Sequence, residues 1–297
     1  MKKIIRKLYC LIILFFFNSV RALPFRFAVK LGGSLGTVAY HLIGKSRTIT
    51  EENLRRSFPE KSEDEIRCIA KEVFVNQGKN AFEFFCYPRL SAARIKNLVG
   101  VENEEGYLTA VAEGKGVLMA SAHCGSWELL GASLCARGFA INVIAKRVYL
   151  DTINQLLVDL RSSKALKVIL RSDRDSARKM LKALRARETL ALLIDQDTDV
   201  PGVFVDFFNR PAWTPAAVAV LALKTGAPVI LALDTRLPDD THRVDITGPL
   251  ELIRTGDHEK DVLENTRAVT KLIEGHIRKY PGQWVWMHER WKTKQAS

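Results

Sequence analysis

The chain has 297 residues, 47% of them hydrophobic and 26% charged, which is the usage of a globular protein with a sizeable core and excludes a disordered or fibrous one. Lysine and arginine number 45 against 33 acids, a formal charge of +12 that suits an acidic partner: nucleic acid, anionic lipid, a phosphorylated substrate or an acidic protein. The five cysteines, Cys10, Cys68, Cys86, Cys124 and Cys135, are odd in number and scattered through apolar helical patterns. That argues against a disulfide framework and for a soluble part facing the cytoplasm.

The N-terminus, MKKIIRKLYCLIILFFF, is a basic start followed by an unbroken apolar run from Leu8 to Phe17. This fits a membrane-inserting segment, although the run is short for a span. Val20-Arg21-Ala22 is compatible with signal-peptide cleavage. Against cleavage, positive charge continues at Arg21, Arg26 and Lys30, and the next stretch, FAVKLGGSLGTVAYHLIG, is again apolar. Both flanks of the first run are basic, so charge asymmetry gives no orientation, and an in-plane or re-entrant anchor fits as well as a true span. The expected organisation is an N-terminal membrane-associating helical arm over 1–47 and an α/β domain over 48–297.

From Ser62 the pattern turns helical. Ser62 and Glu65 form a capping box, Ile66, Ile69, Ala70, Val73 and Phe74 recur at three- and four-residue spacing, and Pro88 marks the end. Short apolar runs then alternate with amphipathic helices: GVLMASA and Trp127–Arg137, INVIA and Thr152–Ser162, LKVIL and Ser176–Arg187, TLALLID and Thr214–Lys224, then PVILALD. Arg243–Ile246 adds a strand and Glu259–Lys279 a long helix. Such alternation predicts an α/β fold, a central, largely parallel sheet flanked by helices, with no internal repeat or linker.

The chemistry concentrates at His123-Cys-Gly-Ser-Trp-Glu128, at the junction of a strand and a helix. His123 ends the strand, Gly125 permits the turn, and Ser126 is placed to cap a helix whose first turn holds Glu128. On one unbroken helix residues five apart lie about 140° apart, so His123 and Glu128 meet only if Gly125 bends the chain. A carboxylate accepting one imidazole N–H fixes the tautomer and leaves the other nitrogen as general base, and the helix N-terminus can donate N–H groups to an oxyanion. The plainer alternative is a satisfied strand-end histidine and a carboxylate complementing the helix dipole. Cys124 is a poor partner for His123, because adjacent strand residues point to opposite faces. Neither H-E-x-x-H nor a paired CxxC occurs, so no metal site is expected.

The order of motifs along nearly the whole chain resembles the lipid A biosynthesis acyltransferases of the late lauroyl- and myristoyltransferase type. The H-x-x-x-x-D/E motif is matched by His123 and Glu128 in HCGSWE, an LRS-like helix by Arg161 in LRSSKAL, and an acidic DxD by Asp195-Gln196-Asp197. GVFVDFFNRPAWT, TGAPVI, the terminal QWVWMHERWKTK and the early ENLRRSFPE follow the same order. Cys124 and Asp206, where a proline is common, depart from the pattern without touching the dyad.

The resemblance implies an inner-membrane enzyme, its catalytic domain facing the cytoplasm, that moves a fatty acyl chain from acyl carrier protein to a hydroxyl of a phosphorylated glucosamine lipid. The thioester is a co-substrate and no cofactor is implied. His123 would take the acceptor proton while Glu128 holds the imidazole, with no acyl-enzyme. Arg161 would bind phosphate or sugar, as would Lys146 and Arg147 unless they form a solvated basic face. Asp195 and Asp197 share the sheet edge with His123 and would order the site or cap a loop. Phe204, Phe207, Phe208 and Trp213 would line an acyl groove or join the core. Rival readings are an acyltransferase for another membrane glycolipid, such as a mannoside lipid, or an aminolipid. From another class comes a membrane-tethered nucleic-acid-binding protein, although no helix-turn-helix or basic–aromatic platform is visible, so nucleic acid is not the expected partner.

Overall fold

The computed structural model describes residues 13–295. Residues 13–22 are helical (α1), followed by α2 (Phe25–Leu42), α3 (Gly44–Ser57), α4 (Glu63–Cys86), α5 (Ala92–Leu98), β1 (Val99–Glu102) and α6 (Glu104–Ala112). The α/β alternation runs β2 (Val117–Ser121), α7 (Trp127–Ala136), β3 (Ile141–Ala145), α8 (Asp151–Ser162), β4 (Lys167–Leu170), α9 (Ser176–Arg185) and β5 (Thr189–Leu193). After it come β6 (Gly202–Phe207), β7 (Arg210–Pro215), α10 (Ala217–Thr225), β8 (Val229–Arg236), β9 (His242–Thr247) and α11 (His258–Lys279).

The main sheet has seven strands in the order β1-β9-β8-β2-β5-β3-β4. The contiguous strands β8, β2, β5, β3 and β4 are parallel. The expectation of a largely parallel sheet holds, with one exception at its edge. β9 returns from β8 through a connection too short for a crossover, so it pairs antiparallel, and β1 lies parallel to β9. Every residue of β2 is buried, because helices cover both faces: Leu118 and Ala120 enter the core on one side, Val117 and Met119 the core on the other.

Local chemistry explains the boundaries. The Ser62–Glu65 capping box forms in both directions at the start of α4, whose helix stops before Pro88. The helix expected from Thr214 begins at Ala217, because Trp213, Thr214 and Pro215 are paired with β6 in a separate two-stranded hairpin. The hairpin places Phe207 and Phe208 in the core, leaves Asp206 exposed, and sets Phe204 against Trp213 at 5.2 Å.

The arm is built against the domain. Gly32 and Gly36 of α2 meet Gly78 and Phe74 of α4 backbone to backbone, and a Cβ at Gly32 would lie 2.5 Å from the Gly78 carbonyl oxygen. No helix of the described residues is long and apolar enough to cross a membrane. Leu8 to Ile12, half of the first apolar run, lie outside those residues.

Candidate active site

His123 follows β2 and Asp195 follows β5, its hydrogen-bonded neighbour, so a parallel register delivers both to one sheet edge. Asp195 Oδ2 accepts the backbone N–H of His123 at 2.9 Å, and Oδ1 lies 2.9 Å from His123 Nδ1. The indole of Trp284, entirely buried, donates Nε1–H to the same Oδ2 at 2.7 Å. Burial raises the Asp195 pKa, but the imidazole, the two N–H donors and their charge outweigh it and hold the carboxyl at about 2. An ionised Asp195 puts the proton on Nδ1. Nε2 makes no hydrogen bond among the described residues, and the imidazole is 21% exposed, edge-on to Trp127 at 5.0 Å.

This corrects the expected partner of the imidazole, which is Asp195 and not Glu128. The carboxylate of Glu128 is occupied by Arg161: Nη2 lies 2.6 Å from Oε1, and Nε lies 3.2 Å from Oε1 and 3.1 Å from Oε2. The pair is largely buried, and the guanidinium lies 5.5 Å from the Phe84 ring centre. Burial disfavours the Arg161 charge, yet Glu128 overrides it and raises the pKa above the ordinary arginine value. Arg161, expected to bind acceptor phosphate or sugar, thus has Nε and Nη2 engaged by a carboxylate of its own chain.

The turn between His123 and Glu128 needs its glycine. Gly125 has φ +52°, and a Cβ there would lie 2.2 Å from Asp234 Oδ2. Ser126 occupies the N-cap of α7, as expected, but its hydroxyl makes no capping bond; its backbone N–H goes to Asp234 Oδ2 at 2.6 Å. Cys124 bridges to Trp284 as an isolated antiparallel pair and is buried, which pushes its thiol pKa well above the ordinary value.

Asp197 does something other than touch the histidine. Its oxygens accept the N–H of Thr293 at 2.8 Å and the Thr293 hydroxyl at 2.9 Å, and its carbonyl faces His288 Nε2 at 3.1 Å. The loop-capping alternative describes this geometry, since Asp197 ties the C-terminal segment over the β5 edge. Lys146 and Arg147 are exposed after β3, and Arg147 pairs with Asp151 at 2.8 Å. Sequence reasoning missed Trp284 as a partner of Asp195 and the whole polar layer under the turn, whose members are far apart in the chain.

A histidine oriented by a buried carboxylate at the carboxyl edge of a parallel sheet is an arrangement that α/β enzymes use for proton transfer. The profile of the bacterial lipid A biosynthesis acyltransferases matches residues 2–293, and the chain belongs to that family and is an acyltransferase. It is 28% identical over 284 residues to the lipid A biosynthesis lauroyltransferase of Escherichia coli K12, covering 92% of this chain and 87% of the relative. To the lipid A biosynthesis palmitoleoyltransferase of the same organism it is 26% identical over 281 residues, 92% and 87% of the two chains. A phosphatidylinositol mannoside acyltransferase of Mycobacterium tuberculosis CDC 1551 / Oshkosh is 27% identical over 219 residues, 71% of this chain and 68% of that one.

Proposed function

We propose that the enzyme transfers a fatty acyl chain from acyl carrier protein to a hydroxyl of a phosphorylated glucosamine lipid, a lipid A precursor, at the cytoplasmic face of the inner membrane. The observation that carries the mechanism is the His123–Asp195 contact. With Nδ1–H engaged by the carboxylate, Nε2 offers its lone pair to the acceptor hydroxyl and takes the proton as the oxygen attacks the thioester carbonyl. The thiolate leaves and is protonated by the imidazolium, so the histidine is restored and no acyl-enzyme forms. The buried, protonated Cys124 is not needed as a nucleophile. Glu128 and Arg161 hold the first turn of α7 against α8, and Lys146 and Arg147 offer exposed charge to an acidic substrate or carrier protein.

Relatives named for lipid A match this chain over more of its length than those named for phosphatidylinositol mannoside, which favours the glucosamine acceptor. Membrane placement rests on α2. Its exposed Phe27, Leu35, Val38 and Leu42 fall within an arc of about 80° on a helix, opposite the small residues packed on α4. The test is mass spectrometry of lipid products after the purified enzyme meets acyl carrier protein thioester with either a phosphorylated glucosamine disaccharide lipid or a phosphatidylinositol mannoside. A new ester on the glucosamine lipid is expected. Acylation of the mannoside alone, or only with coenzyme A as donor, would overturn the corresponding part of the reading.

A further inference from the structure

The turn that carries His123 rests on a layer of charge that has no contact with the imidazole. Asp234, near the end of β8, points its carboxylate at the turn: Oδ2 accepts the Ser126 N–H at 2.6 Å and faces His242 Nδ1 at 2.8 Å. The other side of the same peptide is held from α4, where Asn80 Nδ2 donates to the Gly125 carbonyl at 2.6 Å. Asn80 in turn accepts from Arg236 at 2.7 Å, Arg236 forks onto Glu83 at 2.6 and 2.7 Å, and Glu83 Oε1 lies 3.2 Å from His242 Nε2. Asp234, His242, Glu83 and Arg236 are all buried.

Stability alone does not explain this layer. Buried ion pairs are often no more stabilising than apolar residues of the same volume, because desolvation consumes the Coulombic gain. What they do supply is fixed geometry. Here that geometry is delivered to the Gly125–Ser126 peptide between His123 and Glu128, at a turn where the Ser126 side chain provides no cap and where the carboxylate occupies the space a Gly125 side chain would need. A shift of that turn would move His123 relative to Asp195, because the backbone N–H and the ring of His123 are both bound to that one carboxylate.

Resting on the acyl-transfer reading above, we infer that Asp234 is a positioning residue for the active-site turn: with Asn80 on its other side, it clamps the Gly125–Ser126 backbone so that His123 Nε2 meets the acceptor hydroxyl. The partner that fixes the Asp234 carboxylate from behind is charged at neutral pH. Burial lowers the pKa of His242, but Asp234 and Glu83 outweigh it and raise it to about 9, so the imidazolium stays opposite Asp234.

The test uses the full-length enzyme in detergent with two readouts, steady-state transfer and hydrogen exchange of the turn amides. Asp234→Ala is expected to lower kcat by about ten- to a hundredfold with KM for donor and acceptor unchanged. Exchange at Ser126 should become about ten- to a hundredfold faster. Asp234→Asn, which restores an oxygen for the Ser126 N–H, should recover most of both. Asn80→Ala acts on the Gly125 side and should move both in the same direction, which keeps the test sound should Asp234→Ala not fold. A folded Asp234→Ala or Asn80→Ala with wild-type kcat or wild-type exchange, or a defect confined to KM, overturns the inference. Absence of transfer by the wild type would tell against the acyl-transfer reading, and the exchange measurements would still decide whether Asp234 holds the turn.

Discussion

Asp195 holds His123 at two points, the ring through Nδ1 and the main chain through the N–H, both at 2.9 Å. A carboxylate that grips ring and backbone together fixes the imidazole in orientation as well as in tautomer, and Trp284 anchors that carboxylate from the far side. Removing the charge from Asp195 should therefore be nearly as damaging as removing the base. His123→Ala should abolish most transfer in a folded protein. Asp195→Asn should lower kcat on the order of 10³–10⁴-fold, by analogy with other carboxylate–histidine pairs. Trp284→Phe, which deletes only the indole donor, should lower it less. Steady-state assays on protein checked by circular dichroism decide this, and an active Asp195→Asn enzyme would remove Asp195 from the mechanism.

The Glu128–Arg161 pair should behave as a coupled structural unit. Loss of a charge-assisted hydrogen bond costs roughly 1.5–3 kcal/mol, and stranding one partner of a buried pair costs more. Arg161→Lys keeps the charge but loses the planar fork, so it should destabilise the protein and reduce transfer. Urea unfolding of Glu128→Gln, Arg161→Lys and the double variant should give a coupling energy above about 1 kcal/mol. Additive effects would mean that the pair is not a unit.

Much of this arrangement was legible in the sequence. The strand–turn–helix at His123, the need for a bend at Gly125, the alternation that builds a parallel sheet, and the sheet edge shared by His123 and Asp195 all follow from local patterns of period and turn chemistry. The identity of the imidazole's partner did not. Glu128 is five residues away and Asp195 seventy-two, and chain proximity says nothing about which carboxylate the strand register brings to the ring. Asp234, His242, Glu83 and Arg236 carry no local signal at all, since their contacts join α4 to β8 and β9. The β6–β7 hairpin was hidden by a helical pattern starting at Thr214, which the pairing of Trp213 to Pro215 overrides.

Stability should fall at both ends of the pH scale. Asp195 and Glu83 are each held at about 2, below ordinary values of 3.8 and 4.5. Their contribution is complete above the ordinary values and is lost as pH falls through about 2. His242 is raised from 6.5 to about 9, so its contribution is complete below pH 6.5 and is lost as pH rises through about 9. Melting temperatures across the range should show both limbs, and His242→Gln should flatten the alkaline one. An unchanged alkaline limb in that variant would assign the loss to other groups.

Cys124 should be inert in the native enzyme. Its thiol is buried beside Asp195 and Asp234, which disfavour a thiolate, whereas Cys68 is exposed. Iodoacetamide should modify Cys68 in the folded protein and Cys124 only after unfolding, and Cys124→Ala should retain transfer. A trapped acyl-thioester on Cys124 would replace the direct mechanism with a two-step one.

The outer face of α2 should carry membrane binding. Phe27, Leu35, Val38 and Leu42 are exposed on one side of the helix while Gly32 and Gly36 pack its opposite side onto α4, so the apolar residues cannot be explained as core. Arg26 and Lys30, both exposed, lie at one margin of that face, where anionic headgroups would meet them. On the membrane placement proposed above, this helix would lie in the membrane plane with its apolar side among the acyl chains. Burying one large apolar side chain is worth about 1.5–3 kcal/mol, so Phe27→Glu should weaken partitioning onto anionic vesicles by about ten- to a hundredfold, and Val38→Glu should act in the same direction. Neither side chain packs into the domain, so melting temperature and turnover of detergent-solubilised substrate should stay at wild-type levels. Cosedimentation with vesicles measures the first effect and the soluble assay the second. Undiminished vesicle binding by the double variant would place membrane contact elsewhere on the protein.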